Sequence, residues 1–480
     1  MSEVLAAMRK YKFFVGGESK EVTDRYVSSL DFDKVLAKYV AMVMLAHVKE
    51  LAKKGVVGVE PAKRVAKELV DIARSNGEKL YSWVKSKGEM YEDVFEALEA
   101  YLHDAVGPEA GRIAIGRSRN DHVAAALRLA LRDKLLEILV KLLELRGILV
   151  GKALEYRGVL FPFFTHGQVA QCGNASIYFL SYEKAFADIC ALMTQGLNLL
   201  NQNPLGSGAA AGTIVKLNTG ELSKNLCFSP EPLPPYYATG SRLFLLYMAS
   251  LLAMVMAEVG RFAEDSMLLT TTIQRGVRIP RNHISTSSIM PHKRNLVTLE
   301  IARAKASKVI GVLTSLLAAY KSVPYGYNLD FQEMNIYFFE ALNDVTNTLD
   351  VVKDFVGGLE LDEEGIKASL IDKPCWSSDL IEYIAIDTGI PVRELYMELA
   401  RVLQVSMTEH AEQLEEFLAK YGVDWVNAWM LYKLKPVEEV LGEMIDSAER
   451  RLQDDLEMVK HLSSNLSQCS RVLVEGASDF

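Results

Sequence analysis

The chain of 480 residues is half hydrophobic and carries 53 basic against 62 acidic side chains, for a net charge of −9. That is enough apolar material for a large core, and the acidic balance argues against nucleic-acid binding as a main role. Five scattered cysteines without a CxxC pair predict reduced thiols in a cytosolic protein, and Arg9, Lys10 and Lys12 interrupt the apolar run that a secretory signal needs.

In chain order, helical periodicity dominates. Gly116-Arg117-Ser118-Arg119-Asn120-Asp121 puts two guanidiniums, a hydroxyl and an amide ahead of a helix, where free N–H groups favour anions; Ser118 or Asn120 also suits an N-cap. From Asp121 to Leu149, Lys134, Glu137, Lys141 and Glu144 mark a solvated face, with Glu137 in the favourable order for an ion pair with Lys141. Leu135, Ile138, Leu139, Leu142 and Leu145 mark the buried face. Thr165 and His166 follow among aromatics in Phe161–Gln168, where the histidine suits either proton transfer or simple packing. A second helix spans Ile177–Leu200. Pro204-Leu205-Gly206-Ser207-Gly208 is a turn that lacks the lysine of a phosphate cradle.

Four prolines make Phe228–Gly240 a loop. A third helix covers Arg242–Thr270. Its stretch Leu243–Val259 has one charge and reaches only the short limit for crossing a membrane; Tyr247, Ser250 and several alanines suit a helix buried on all sides. Ser287-Ser288-Ile289-Met290-Pro291-His292-Lys293-Arg294-Asn295 is a Pro-broken loop rich in hydroxyls and cations, suited to gripping an anion. A fourth helix spans Leu299–Tyr320. Tyr327-Asn328-Leu329-Asp330-Phe331-Gln332-Glu333 gathers polar groups near a helix start, and Gly357-Gly358 breaks the chain. No run alternates between turns, so no sheet of any size is expected. The nearly all-round apolar central helices need partner surfaces, which predicts oligomerisation.

The loop over Ser287–Asn295 resembles the S-S-x-M-P-x-K-x-N loop of the fumarase/aspartase superfamily. With G-R-S-R-N-D, T-H-x-Q, P-L-G-S-G-A and Y-N-x-D-x-Q-E in the same order, the chain is similar to the argininosuccinate lyases and their δ-crystallin relatives. The resemblance implies an all-α protein: a long central helical bundle at 116–360, with smaller helical domains at 1–115 and 361–480. It implies a cytoplasmic homotetramer whose active sites combine three subunits, acting on argininosuccinate in arginine biosynthesis, with no cofactor, metal, nucleic acid or membrane. By the same resemblance Ser287 is the general base and Lys293 and Asn295 meet the developing charge. His166 with Thr165 serves the leaving side, Ser118, Asn120, Tyr327 and Gln332 bind substrate, and Arg117, Arg119 and Arg242 are further binding candidates.

Departures accompany the match. Thr286 stands where the family has Gly, Asn335 where it has Lys, Met44 opposite its Ser, Phe95 at its His, and Phe14-Val15-Gly16-Gly17-Glu18 at W-G-G-R-F. A sister enzyme such as adenylosuccinate lyase and a non-catalytic crystallin-like protein therefore remain as alternative expectations.

Overall fold

A computed structural model describes residues 21–403 and 411–478; the signal-peptide reading and the Phe14–Glu18 departure lie outside them. The first part is helical: α1 (Glu21–Val27), α2 (Ala37–Lys53), α3 (Val59–Arg74), α4 (Glu78–Lys87) and α5 (Val94–Val106). The bundle begins with α6 (Arg119–Glu155). After the hairpin β1 (Leu160–Thr165) and β2 (Gln168–Asn174) it continues through α7 (Ala175–Leu200), α8 (Thr219–Leu226), α9 (Pro235–Gly240) and α10 (Leu243–Thr272). Short strands β3 (Val277–Arg278), β4 (Ser285–Thr286) and β5 (Arg294–Asn295) precede α11 (Val297–Tyr320) and α12 (Asp330–Gly358). Then come β6 (Glu360–Leu361), α13 (Glu363–Ser369), α14 (Ser377–Thr388), α15 (Val392–Leu403), α16 (Ala411–Lys420), α17 (Trp425–Met430) and the 40-residue α18 (Pro436–Glu475). The expected all-α architecture is observed, and the only sheets among the described residues are three antiparallel pairs: β1 with β2, β3 with β6, and β4 with β5.

The four long helices form where periodicity placed them; α6, α7 and α11 begin two residues earlier, and α10 begins one residue later and runs to Thr272. The proline-rich stretch is not all loop: Pro234 and Pro235 leave a free helix start, and α9 runs to Gly240. Helix α10 is the one described helix long and apolar enough to cross a membrane, but it lies inside the bundle. Phe244, Leu245, Leu251, Val255, Val259 and Phe262 are buried there, as expected of a core helix.

Helix α6 is buried along most of its length, including Arg128, Arg132 and Arg146. The first two have a structural reason. Arg128 donates to the Leu199 carbonyl, and Arg132 donates to the Leu226 and Cys227 carbonyls at 3.0 and 2.8 Å. These are the C-terminal ends of α7 and α8, where orphan carbonyls and the helix dipole favour a cation. The solvated face of α6 is only half exposed. Glu137 pairs with Lys134 at 2.7 Å rather than with Lys141, which instead reaches Asp350 on α12 at 2.6 Å; Glu144 pairs with Lys353. Cross-helix partners override the local pairing that the spacing favours.

The cysteine expectation is overturned. Cys172 is bonded to Cys375 and Cys227 to Cys469, with Cα separations of 5.0 and 6.0 Å; only Cys190 is a free thiol, and it is buried. The partners are 203 and 242 residues apart, so no local spacing signals them. The main apolar core joins the N-terminal helices, the bundle and part of α18, while a second cluster runs from Trp376 to Leu431.

Candidate active site

The segment Gly116–Asp121 forms the N-terminus of α6, with Ser118 as N-cap. Its hydroxyl accepts from the Asn120 N–H at 3.2 Å, and Asp121 accepts from the Ser118 N–H at 2.9 Å, closing a capping box. The other Asp121 oxygen accepts from the Gly208 N–H at 3.0 Å, and the Asn120 amide donates to the Ala209 carbonyl at 3.2 Å. The Gly-rich turn therefore buttresses this segment. Arg117 is buried against Glu99, and Arg119 pairs with Asp93 at 3.1 Å, so both guanidiniums are tied to the α5 region.

Beneath the segment, His47 bonds the Ile115 carbonyl at 3.0 Å and stacks edge-on to His122, which also neighbours Phe95. Burial, then the Arg117 charge, lowers His47 to about 4; burial holds His122 well below the usual imidazole range. Both rings are neutral packing groups at physiological pH.

Tyr327, Gln332, Arg242 and Asn335 meet in one small cavity of about 20 Å³, together with Ser29, Asp33 and Asp93. Arg242 is fully buried, lies 4.6 Å from the Phe331 ring centre and donates to the Thr239 and Ser241 carbonyls, both at 3.0 Å. It stands beside the place where Asn335 replaces the family's lysine. The Asn335 side-chain amide oxygen is buried with no hydrogen-bond partner among the described residues. The Gln332 amide donates to the Val27 carbonyl at 3.0 Å.

Ser29 and Asp33 were not singled out in the sequence. Their i, i+4 spacing ahead of a helix was the available signal, but it is common. The Ser29 hydroxyl donates to Asp33 at 2.7 Å. Burial pushes the Asp33 carboxyl up to about 7, against the Ser29 hydrogen bond and with the help of the Asp93 charge. Asp33 thus has no ion-pair partner among the described residues, although Arg242 lines the same cavity. Since the folded pKa of Asp33 lies above the unfolded value of 3.8, the stability it contributes is present at low pH and lost as pH rises through about 7. Asp33→Asn is expected to raise the melting temperature more at about pH 8 than at about pH 5; an equal change at both would contradict this.

Thr165 and His166 stand at the exposed tip of the β1–β2 hairpin. His166 and Gly167 have φ of 53° and 70°, a two-residue turn of the kind that matches strand twist. Ser287, Lys293 and Asn295 lie on a second hairpin, built on β4 and β5. Its base is pinned by buried His283, which bonds Thr298 at 2.8 Å and Asp354 at 2.9 Å. The Ser287 hydroxyl accepts from the Ile289 and Met290 N–H groups at 3.4 and 3.2 Å, and the Lys293 side chain is exposed. Among the described residues no hydrogen bond or ion pair joins this loop, the His166 tip and the Gly116–Asp121 segment. The last of these adjoins the Tyr327 cavity through the Arg119–Asp93 pair.

A family model described as lyase matches residues 15–311. An argininosuccinate lyase of Sulfurisphaera tokodaii is 40% identical over 388 residues, 81% of this chain and 83% of that protein. One of Pyrococcus furiosus is 34% identical over 446 residues, 92% and 95% of the two chains. The chain belongs to the argininosuccinate lyase family. The fold agrees: the structure of an EDDS lyase variant with bound fumarate superposes with a TM-score of 0.79 at 20% identity, covering 92% of this chain and 91% of that one. Among the chain's family motifs, the Tyr327 segment lines the cavity that holds Asp33 and Asp93, the Gly116 segment adjoins it through the Arg119–Asp93 pair, and the Ser287 and His166 segments project on hairpins.

Proposed function

We propose that the protein cleaves argininosuccinate reversibly to arginine and fumarate, as a homotetramer whose sites combine three subunits. The identity to argininosuccinate lyases over most of the chain carries this reading. In the reaction a C–H proton next to a carboxylate is removed, the C–N bond breaks, its electrons go to the departing nitrogen, and the C–H electrons form the double bond of fumarate. Ser287 takes the proton; the two N–H groups aimed at its oxygen and the Lys293 cation carried on the same loop favour its alkoxide. Lys293 and Asn295 meet the charge that builds on the carboxylate, the kind of electrostatic support that dominates such barriers. His166 with Thr165 supplies or orients the proton that the leaving nitrogen requires.

At the other end, the guanidinium of the arginine half pairs with Asp33, with Ser29, Tyr327 and Gln332 lining the cavity and Ser118 and Asn120 on the adjoining segment. Roughly one water fills 20 Å³. Gln332 must therefore release the Val27 carbonyl and swing aside for the guanidinium to enter. Arg117, Arg119 and Arg242 act in this reading by holding the segments, and Arg242 stands in for the cation lost at Asn335.

Assembly is supported by α11, which buries only Leu299, Ala302, Ala306, Val309 and Leu316 of its 24 residues within the chain. Ile301, Ile310 and Leu317 on α11, and Leu243 and Met254 on α10, are left exposed. So much apolar helix surface needs partner helices. Light scattering is expected to give four chains per particle at micromolar concentration; an active monomer would contradict the shared site. The reading as a whole is tested by fumarate release from argininosuccinate.

A further inference from the structure

Asn174 ties the base of the hairpin that carries His166 to Glu438 at 2.9 Å, and Cys172, two residues nearer the tip, makes a second and covalent tie. The opposite number of Cys172 in the ladder is Pro162, which has no N–H to give. Cys172 instead finds its partners outside the hairpin: its N–H donates to the Cys375 carbonyl at 3.0 Å, its carbonyl accepts from Lys435 Nζ at 3.0 Å, and its sulfur is bonded to Cys375. Cys375 and Lys435 flank the small helical unit whose separate core runs from Trp376 to Leu431. Lys435 also pairs with Asp379 of that unit at 2.9 Å. Both ends of the unit therefore converge on one residue of the hairpin. Towards the tip the ladder is weaker, because its register shifts between Phe163 and Phe164.

We propose that the Cys172–Cys375 crosslink is a redox-sensitive clamp that positions the His166 turn for the reaction, with Cys172 and Cys375 as positioning residues. The proposal rests on the lyase reading, which gives His166 its role. A dithiol reductant opens the clamp: the S–S bond breaks, each sulfur gains one electron and one proton, and the reductant's two thiols close into a disulfide. Both cysteines are buried, so opening is slow.

The test uses the full-length protein as wild type, Cys172→Ser and Cys375→Ser, with Cys227→Ser as a control that breaks the other crosslink. Fumarate release by oxidised wild type is measured first. Its absence would overturn the lyase reading and with it the clamp's catalytic role, while hydrogen exchange over residues 160–174 still reads the clamp itself. Opening the crosslink, by reductant or by either serine, is expected to speed that exchange. It should lower kcat about fivefold with KM changed less than about twofold, the pattern of a misplaced group rather than of lost binding. Cys172→Ser should no longer respond to reductant, and Cys227→Ser should keep both kcat and hairpin protection. If the Cys172 and Cys375 variants fail to fold, oxidised against reduced Cys227→Ser carries the comparison, because Cys172–Cys375 is the crosslink that reductant opens there. Unchanged exchange and kcat on opening, an equal loss in Cys227→Ser, or free thiols at both positions by alkylation and mass mapping would each overturn the proposal.

Discussion

Ser287→Ala is expected to reduce turnover by about 10² or more while leaving folding and substrate binding nearly intact, the usual size of a lost general base. The side chain is half exposed on the β4–β5 hairpin and makes no packing contact on which the bundle depends, so a stability loss is not expected. Its hydrogen-bond partners are two backbone N–H groups of the same loop, and water can satisfy these once the hydroxyl is gone. Single-turnover measurements with argininosuccinate, alongside a melting curve, separate the two effects. Near-normal turnover in a folded variant would remove Ser287 from the role and point to another proton acceptor near the loop.

The largest expected stability effect lies far from the chemistry. Arg146 and Glu183 are both fully buried and bonded at 2.9 Å; Arg146 also reaches Asp455 at 2.6 Å, and Arg451 reaches Glu183 at 3.3 Å. This cluster links α6, α7 and α18. Glu183→Ala would leave the Arg146 guanidinium buried with one remaining carboxylate, and removing one member of such a pair costs about 3–5 kcal/mol. Asp455→Ala should cost less, because Asp455 is partly exposed and water can reach the site it leaves. Replacing Arg146 and Glu183 together by apolar residues of similar volume should recover much of the loss. Denaturant unfolding of the three variants checks the order, and a loss below about 1 kcal/mol for Glu183→Ala would show that water enters the cluster.

The helices were legible because apolar spacing repeats over many turns, and the site segments because each lies within ten residues of sequence. Ser118 was recognisable as a cap for the same local reason. The β1–β2 hairpin escaped notice because Leu160–Phe164 is a continuous apolar run with Pro162 inside it, not an alternating one. The crosslinks joined residues more than 200 positions apart, and the acid cavity joined Asp33 and Asp93 to Tyr327 and Asn335 across the whole bundle. Such pairings are products of packing, which no local pattern encodes. The ion pair of Lys141 with Asp350 went the same way: the favourable i, i+4 partner was present, and a carboxylate on α12 displaced it.

The most direct measurement of the central claim offers argininosuccinate and adenylosuccinate separately to the oxidised, full-length protein and follows fumarate by its ultraviolet absorbance. Fumarate is expected from argininosuccinate alone, because the chain is 34–40% identical to argininosuccinate lyases over most of its length and Asp33 offers a carboxylate to the substrate guanidinium. Release from adenylosuccinate but not from argininosuccinate would contradict the account and assign the chain to a sister reaction; release from neither would leave the fold without the activity.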